Sequence, residues 1–140
     1  MNVIPDHELA QYGIQTYHTL MDNGERRFRL GGGDGSVYIR TEATADSGWQ
    51  NSHYHTQLSE LCLVQRGWVV YAELIDGQVV LSRYTDGQHY IIRPMVPHNS
   101  YMAPDSILHT IKFGDCSDPD WIAAPELDGL LRSIDVNSVK

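Results

Sequence analysis

No stretch of the chain approaches the roughly 18 consecutive apolar residues that a membrane-spanning helix needs. The first residues, Met-Asn-Val-Ile-Pro-Asp-His-Glu, supply neither a basic leader nor an apolar core for a secretory signal. A soluble, cytoplasmic protein is therefore expected. Cysteine is almost missing. Cys62 and Cys116 are the two, they share no Cys-x-x-Cys spacing, and a disulfide framework is not expected. Basic residues are also few, ten Lys and Arg against eighteen Asp and Glu, for a formal charge of −8. That excludes the basic surface which nucleic acid or anionic lipid would require, and leaves a small molecule as the expected partner. Phenylalanine is scarce, two residues against eight tyrosines, and with twelve glycines the balance favours a strand-rich fold with many tight turns. Repeats, low-complexity tracts and charge blocks are lacking. The 140 residues suffice for one domain with a sizeable core and are too few for two.

Read in order, Asp6 is placed to cap a short helix through Glu8 to Gln11, ended by Gly13. Residues 14–21 show no clear period. Asn23-Gly24 is a turn signal, Phe28 to Leu30 a short strand, and Gly31 to Gly35 a flexible turn, since no Gly-Lys-Ser/Thr or following helix makes it a phosphate loop. Val37 to Thr41 alternates as a half-buried strand does. Trp68 to Ile75 and Gln78 to Tyr84 are strand runs joined by Asp76-Gly77, the signature of a type I′ hairpin, and His89 to Ile92 and Ile107 to Phe113 are further strands. Asp118-Pro119-Asp120-Trp121 reads as a capped turn. Pro125 then opens a helix whose Leu127, Leu130, Leu131 and Ile134 lie on one face, a face that needs a surface to cover, either its own barrel or a second subunit.

The chemistry concentrates between Gly48 and Gly67. His53 and His55 are two apart, so on a strand their imidazoles leave the same face, whereas on a helix they would diverge. Glu60 heads the apolar run Leu61 to Val64 and delivers a carboxylate from a neighbouring strand. In Arg93-Pro94-Met95-Val96-Pro97-His98 two prolines fix the approach to a strand that presents His98. Three imidazoles and one carboxylate form a mixed N/O set suited to one divalent transition metal, Fe, Mn, Ni, Co or Zn, with positions left open for water or substrate.

At these residues the sequence resembles the cupin superfamily. Its first motif is matched by Gly48, His53, His55, Glu60 and Gly67, and its second lies over Gly87 to His98. Gly48 stands one residue closer to His53 than usual, and Arg93, Met95 and Met102 stand where the family prefers Pro, Gly and Asn; none of these is a ligand position. The resemblance implies an all-β, double-stranded β-helix (jelly-roll) barrel with a short C-terminal helix. The 140 residues are read as a single cupin domain, with the barrel at about 36–113, an N-terminal strand and helix arm over 1–35, and a helical tail over 118–140. It implies His53, His55, Glu60 and His98 as metal ligands, and Tyr38, Arg40, Trp49, Tyr71, Tyr101 and His109 as residues bordering the site. Arg40 is a candidate grip for a substrate carboxylate, Tyr38, Tyr71 or His109 candidate proton donors, and Cys62 a small buried apolar residue. A homodimer is expected, because a small barrel leaves strand edges and an apolar face to cover. Dioxygenase, isomerase or lyase chemistry on a small polar molecule is the implied activity, with a non-catalytic binding or sensor protein as the alternative. The arginines look too scattered to hold a phosphosugar.

Overall fold

The strands are set first by their turns. Asp76 and Gly77 both have positive φ, 50° and 76°, as a type I′ turn requires. They hold β6 (Trp68–Ile75) against β7 (Gln78–Thr85) in unbroken register from Trp68↔Thr85 to Ile75↔Gln78. Gly67 is fixed for a second reason. It carries a φ of +85°, and a Cβ there would lie 2.8 Å from the Ser106 side chain, so only glycine closes the turn between β5 (Leu58–Arg66) and β6.

The structure is a computed structural model and describes residues 4–140. These form two antiparallel sheets. One runs β1 (Gln15–Leu20), β2 (Arg26–Gly31), β3 (Val37–Glu42), β10 (Ile107–Gly114), β5 and β8 (His89–Ile92); the other runs β11 (Ile122–Ala123), β4 (His53–Tyr54), β9 (His98–Met102), β6 and β7. The sheets face each other as a jelly roll. Alternate residues from both fill the interior: Val64, Tyr90, Ile92 and Leu108 from the first, Val69, Tyr71 and Met102 from the second. Cys62 is packed among them, only 2% exposed, and burial pushes its thiol up to about 12, so it remains protonated.

Two local expectations are corrected. Residues 14–21, which lack a period, contain β1, an edge strand exposed along its whole length; with no buried face it has no reason to alternate. Asp6 does not cap the first helix, α1 (Asp6–Leu9); Pro5 holds the cap position, and a 3₁₀ turn follows to Tyr12 before Gly13 ends it at a φ of 72°. The C-terminal helix, α2 (Pro125–Leu131), opens on Pro125 and covers its own barrel. Leu127 and Leu131 are buried with Ala72 on the outer face of the five-stranded sheet, against Trp49, Leu74, Val79 and Leu81. Each leucine contributes about 2 kcal/mol of burial. Ile134 packs there too but lies beyond the helix, while Leu130 is 41% exposed. The outer face of the six-stranded sheet has no such cover among the described residues, and Leu30, Leu63, Ile91, Ile111 and Phe113 are exposed on it.

The turn that delivers His98 survives the loss of its expected glycine. Met95 takes its place at a φ of 69°, and its N–H donates to the His55 carbonyl at 2.6 Å. A side chain in that region costs about 1 kcal/mol. Because Met95 is 62% exposed, Met95→Gly is expected to forfeit little packing and to raise the thermal midpoint by about 2–4 °C; an unchanged or lower midpoint in a melting curve would contradict this.

Candidate metal centre

His53 and His98 are direct partners across β4 and β9, and His55 follows one residue past the end of β4. Their rings cluster, with centroids 4.9 Å (His53–His55), 4.5 Å (His53–His98) and 5.6 Å (His55–His98) apart. One donor atom from each lies within 4.8 Å of the others. The second nitrogen of every ring is already committed. His53 Nδ1 meets the Asn51 carbonyl at 2.8 Å, His98 Nδ1 meets the Val96 carbonyl at 2.9 Å, and His55 Nδ1 meets the Asp120 carbonyl. A carbonyl oxygen only accepts, so each Nδ1 carries the proton, and it is Nε2 whose lone pair the ring can offer to an ion. This is the arrangement by which outer groups orient metal-ligating histidines.

Glu60 arrives from the opposite sheet, across the sandwich, rather than from a neighbouring strand. Its oxygens lie 3.2 Å from His55 Nε2 and 3.7 Å from His98 Nε2, both nitrogens being buried without a hydrogen-bond partner. With both Nε2 atoms unprotonated, buried acceptors face acceptors, which is unfavourable unless a cation or a proton stands between them. Burial pushes the Glu60 carboxyl up; hydrogen bonds from His55 and His98 whenever Nε2 carries a proton, with the Lys112 cation beside it, outweigh that and hold it well below the usual carboxylate range. Burial, reinforced by His98, lowers His53 to about 4, so that ring stays neutral and able to ligate well below the ordinary imidazole range. The orphaned nitrogens and the cluster of three imidazoles, with the Glu60 carboxylate beside two of them, fit a divalent transition metal.

A cavity of about 250 Å³ opens onto His53, His98 and Glu60, with Ser100, Thr110 and Cys62 among its polar lining. Of the other residues expected there, the structure sends most elsewhere. On β3 it is Ile39 and Thr41 that are buried, so strand parity turns Tyr38 and Arg40 outward. On β10, Leu108 and Thr110 face in and His109 faces out. Outside, Tyr38 Oη donates to His109 Nδ1 at 2.7 Å, while Gln65 Oε1 accepts from His109 Nε2 at 2.7 Å and from Arg40 at 3.2 Å. Trp49 and Tyr101 meet edge to face on the outer side of the other sheet. Tyr71 does face inward, but behind the cluster: it stacks on Tyr90, its ring 6.3 Å from His98, and burial raises its hydroxyl far above the ordinary value.

The cations that do line the cavity went unread in the sequence. They are Arg27 and Arg29 from β2, with Lys112 from β10. Arg27 pairs with Thr41 and Arg29 with Ile39 in the β2–β3 register, and cross-strand partners share a face. Sequence alternation carried the signal, since Arg27 and Arg29 oppose Phe28 and Leu30. That alternation leaves open which pair is buried, and in the structure the apolar pair faces out.

The C-terminal segment returns to brace the histidines. The Asp120 carboxylate accepts from Thr56 N at 2.7 Å, Thr56 Oγ1 at 2.8 Å, Gln57 N at 2.8 Å and Leu58 N at 3.2 Å. It thereby caps the turn between His55 and Glu60, and these donors hold its carboxyl well below the usual range. Trp121, 53% exposed, stacks on the His53 ring at 5.2 Å. On the other side of the His-x-His pair, Asp128 accepts from Ser52 N at 3.0 Å, and Ala124 N donates to the Ser52 carbonyl at 2.9 Å.

No family model and no curated protein matches the sequence. Solved structures do match in shape. An oxalate decarboxylase of Bacillus subtilis, at pH 4.6, superposes with a TM-score of 0.65 at 12% identity, over 86% of this chain and 32% of that one. KdgF from Halomonas sp. gives a TM-score of 0.56 at 13% identity, over 69% and 84% of the two chains. The cumin domain of Drosophila melanogaster CENP-C gives 0.57 at 17% identity, over 70% and 72%. The chain thus spans about a third of the length of the decarboxylase it matches. At these identities the likeness is one of fold, and the fold is the cupin jelly roll.

The Asp120 contacts generate a signed expectation. A carboxyl lowered in the folded state stabilises the fold fully above its unfolded pKa, about 4, and loses that contribution as pH falls through the lowered folded value. Asp120→Asn is therefore expected to lower the thermal midpoint at pH 7, with the gap to the parent chain narrowing below pH 4. A gap independent of pH would contradict the assignment.

Proposed function

We propose that the chain is a metal-dependent enzyme acting on a small polar organic molecule, with one divalent transition metal held by His53, His55, His98 and Glu60. The observation that carries the reading is the set of three imidazoles, each locked by a backbone carbonyl so that Nε2 points at a shared centre, two of those nitrogens being buried with no partner. A metal bound there supplies Lewis-acid activation of an oxygen, or dioxygen chemistry where the ion is Fe(II). The chain's own residues do the rest. Ser100 and Thr110 offer hydroxyls along the cavity, Ile92 and Leu108 add apolar surface to it, and Trp121 lines it against His53. Cys62 contributes shape rather than a nucleophile, because its thiol stays protonated. The reaction class within this reading is a dioxygenation, an isomerisation or a lyase cleavage.

The test has two readouts. His55→Ala and His98→Ala are expected to remove most of the bound metal, measured by mass spectrometry of the protein purified from its host, and Glu60→Gln to remove less; undiminished metal in the His55→Ala/His98→Ala double variant would sink the metal site. The Fe(II), Mn(II) and Zn(II) forms are then screened against small keto, hydroxy and aromatic acids, with oxygen uptake and product followed. Turnover by at least one form is expected, whereas binding without conversion by any form would leave a sensor or carrier in place of an enzyme.

A homodimer belongs to the same reading. The uncovered outer face of the six-stranded sheet and the fully exposed β1 edge support it. Light scattering at micromolar concentration should give twice the chain mass; a monomer would refute it.

A further inference from the structure

An acidic chain has gathered three of its ten basic residues around one small cavity. Arg27, Arg29 and Lys112 line it together with the candidate ligands, and their charges are not equally satisfied. Arg27 Nη2 lies 3.0 Å from Glu25 Oε2, and Glu25 is fully buried and steadied by Gln50 Nε2 at 3.2 Å. Lys112 Nζ lies 3.7 Å from Glu60 Oε1. Arg29 makes no ion pair among the described residues. Its guanidinium reaches the Thr19 hydroxyl and stands over the Tyr17 ring at 5.4 Å. Both contacts come from β1, and neither supplies a counter-charge. Burial, then the charge of Arg27 about 7 Å along the strand, disfavours the Arg29 cation.

We infer that Arg29 is the anchor for the carboxylate of a small organic acid, which enters the cavity with its opposite end toward the His53–His55–His98–Glu60 cluster. A guanidinium matches a carboxylate by two parallel hydrogen bonds. One unpaired cation matches one negative charge, which favours a carboxylate over a doubly charged phosphate, since Arg27 and Lys112 are already engaged. The cavity volume of about 250 Å³ lies below the range typical for drug-sized ligands, so the acid is small. The expected grip at Arg40 is thereby replaced, because that side chain lies on the outside and is engaged by Glu42 at 3.2 Å. The inference rests on the proposed metal site for the orientation of the acid, and not for the anchor itself.

The test is calorimetric titration of the full chain with acetate, succinate and benzoate, each against its amide, and with inorganic phosphate. It is run on Mn(II)-loaded protein and on protein dialysed free of metal. The carboxylates are expected to bind more tightly than the amides in both forms. Arg29→Gln should weaken the favoured carboxylate by at least about tenfold, Arg29→Lys by less, and Arg40→Gln, which removes the same charge outside the cavity, hardly at all. Circular dichroism checks that each variant is folded, and Arg29→Lys keeps the test open should Arg29→Gln not be. An equal effect of the Arg29 and Arg40 substitutions, or no preference for carboxylate over amide, would overturn the anchor. Tighter, Arg29-dependent binding of phosphate would overturn the carboxylate class. Metal content separates the two readings: uptake without an Arg29-dependent preference fails this inference alone, and the preference without uptake fails only the metal site.

Discussion

A buried carboxylate facing the lone pairs of two buried imidazoles is the constraint on which the rest of the architecture depends. Left alone, Glu60 with His55 and His98 is a repulsive contact in a low-dielectric interior. The protein does not relieve it by flipping a ring, since each Nδ1 is bound to a backbone carbonyl, and exposing Glu60 is prevented by its place in a long strand paired on both sides, by β10 and β8. On the proposed reading a cation stands in that contact. Lys112, paired with Glu60 across β10 and β5, offsets part of the charge from the protein side.

Both sheets serve that contact. The five-stranded sheet contributes the imidazoles through one β4–β9 pairing, which is too short to be stable on its own. The stability comes from the C-terminal segment, where Asp120 caps the turn after His55 and Asp128 holds Ser52 before His53, while Leu127 and Leu131 anchor α2 on the sheet behind. The six-stranded sheet contributes Glu60 and extends past it to β2, whose arginines form the far wall of the cavity. There the ordinary polarity of a sandwich is reversed. Arg27 and Arg29 point in and Leu30 points out, because the inward face at that end borders an open cavity rather than a packed core.

This reversal marks where the sequence could be read and where it could not. The His-x-His pair, Glu60 and His98 were legible, as their spacing alone brings them onto strands that can converge. The strands bounded by Asp-Gly, Gly and Pro were legible for the same local reason. Inward or outward direction was not. Tyr38, Arg40 and His109 sit on correctly read strands, yet their parity depends on which neighbours, Ile39, Thr41 and Thr110, the core claims. Arg27 and Arg29 were missed because alternation fixes two faces without saying which is buried. The Asp120 brace spans more than sixty residues to Thr56, a contact that no local pattern announces. The covering of the five-stranded sheet by α2 was one of two expected choices, and only the packing of Leu127 and Leu131 decides it.

The central claim is that three neutral imidazoles, protonated at Nδ1, present Nε2 to one ion. Nitrogen-15 NMR of the histidine side chains, recorded on metal-free and Zn(II)-loaded protein at neutral pH, tests it directly. His53, His55 and His98 should each appear as the Nδ1–H tautomer before loading. On loading, Nε2 of all three should shift together, while the outward-facing His109 stays unchanged. Ligation through Nδ1 at any of the three, or three rings that ignore the metal, would contradict the account.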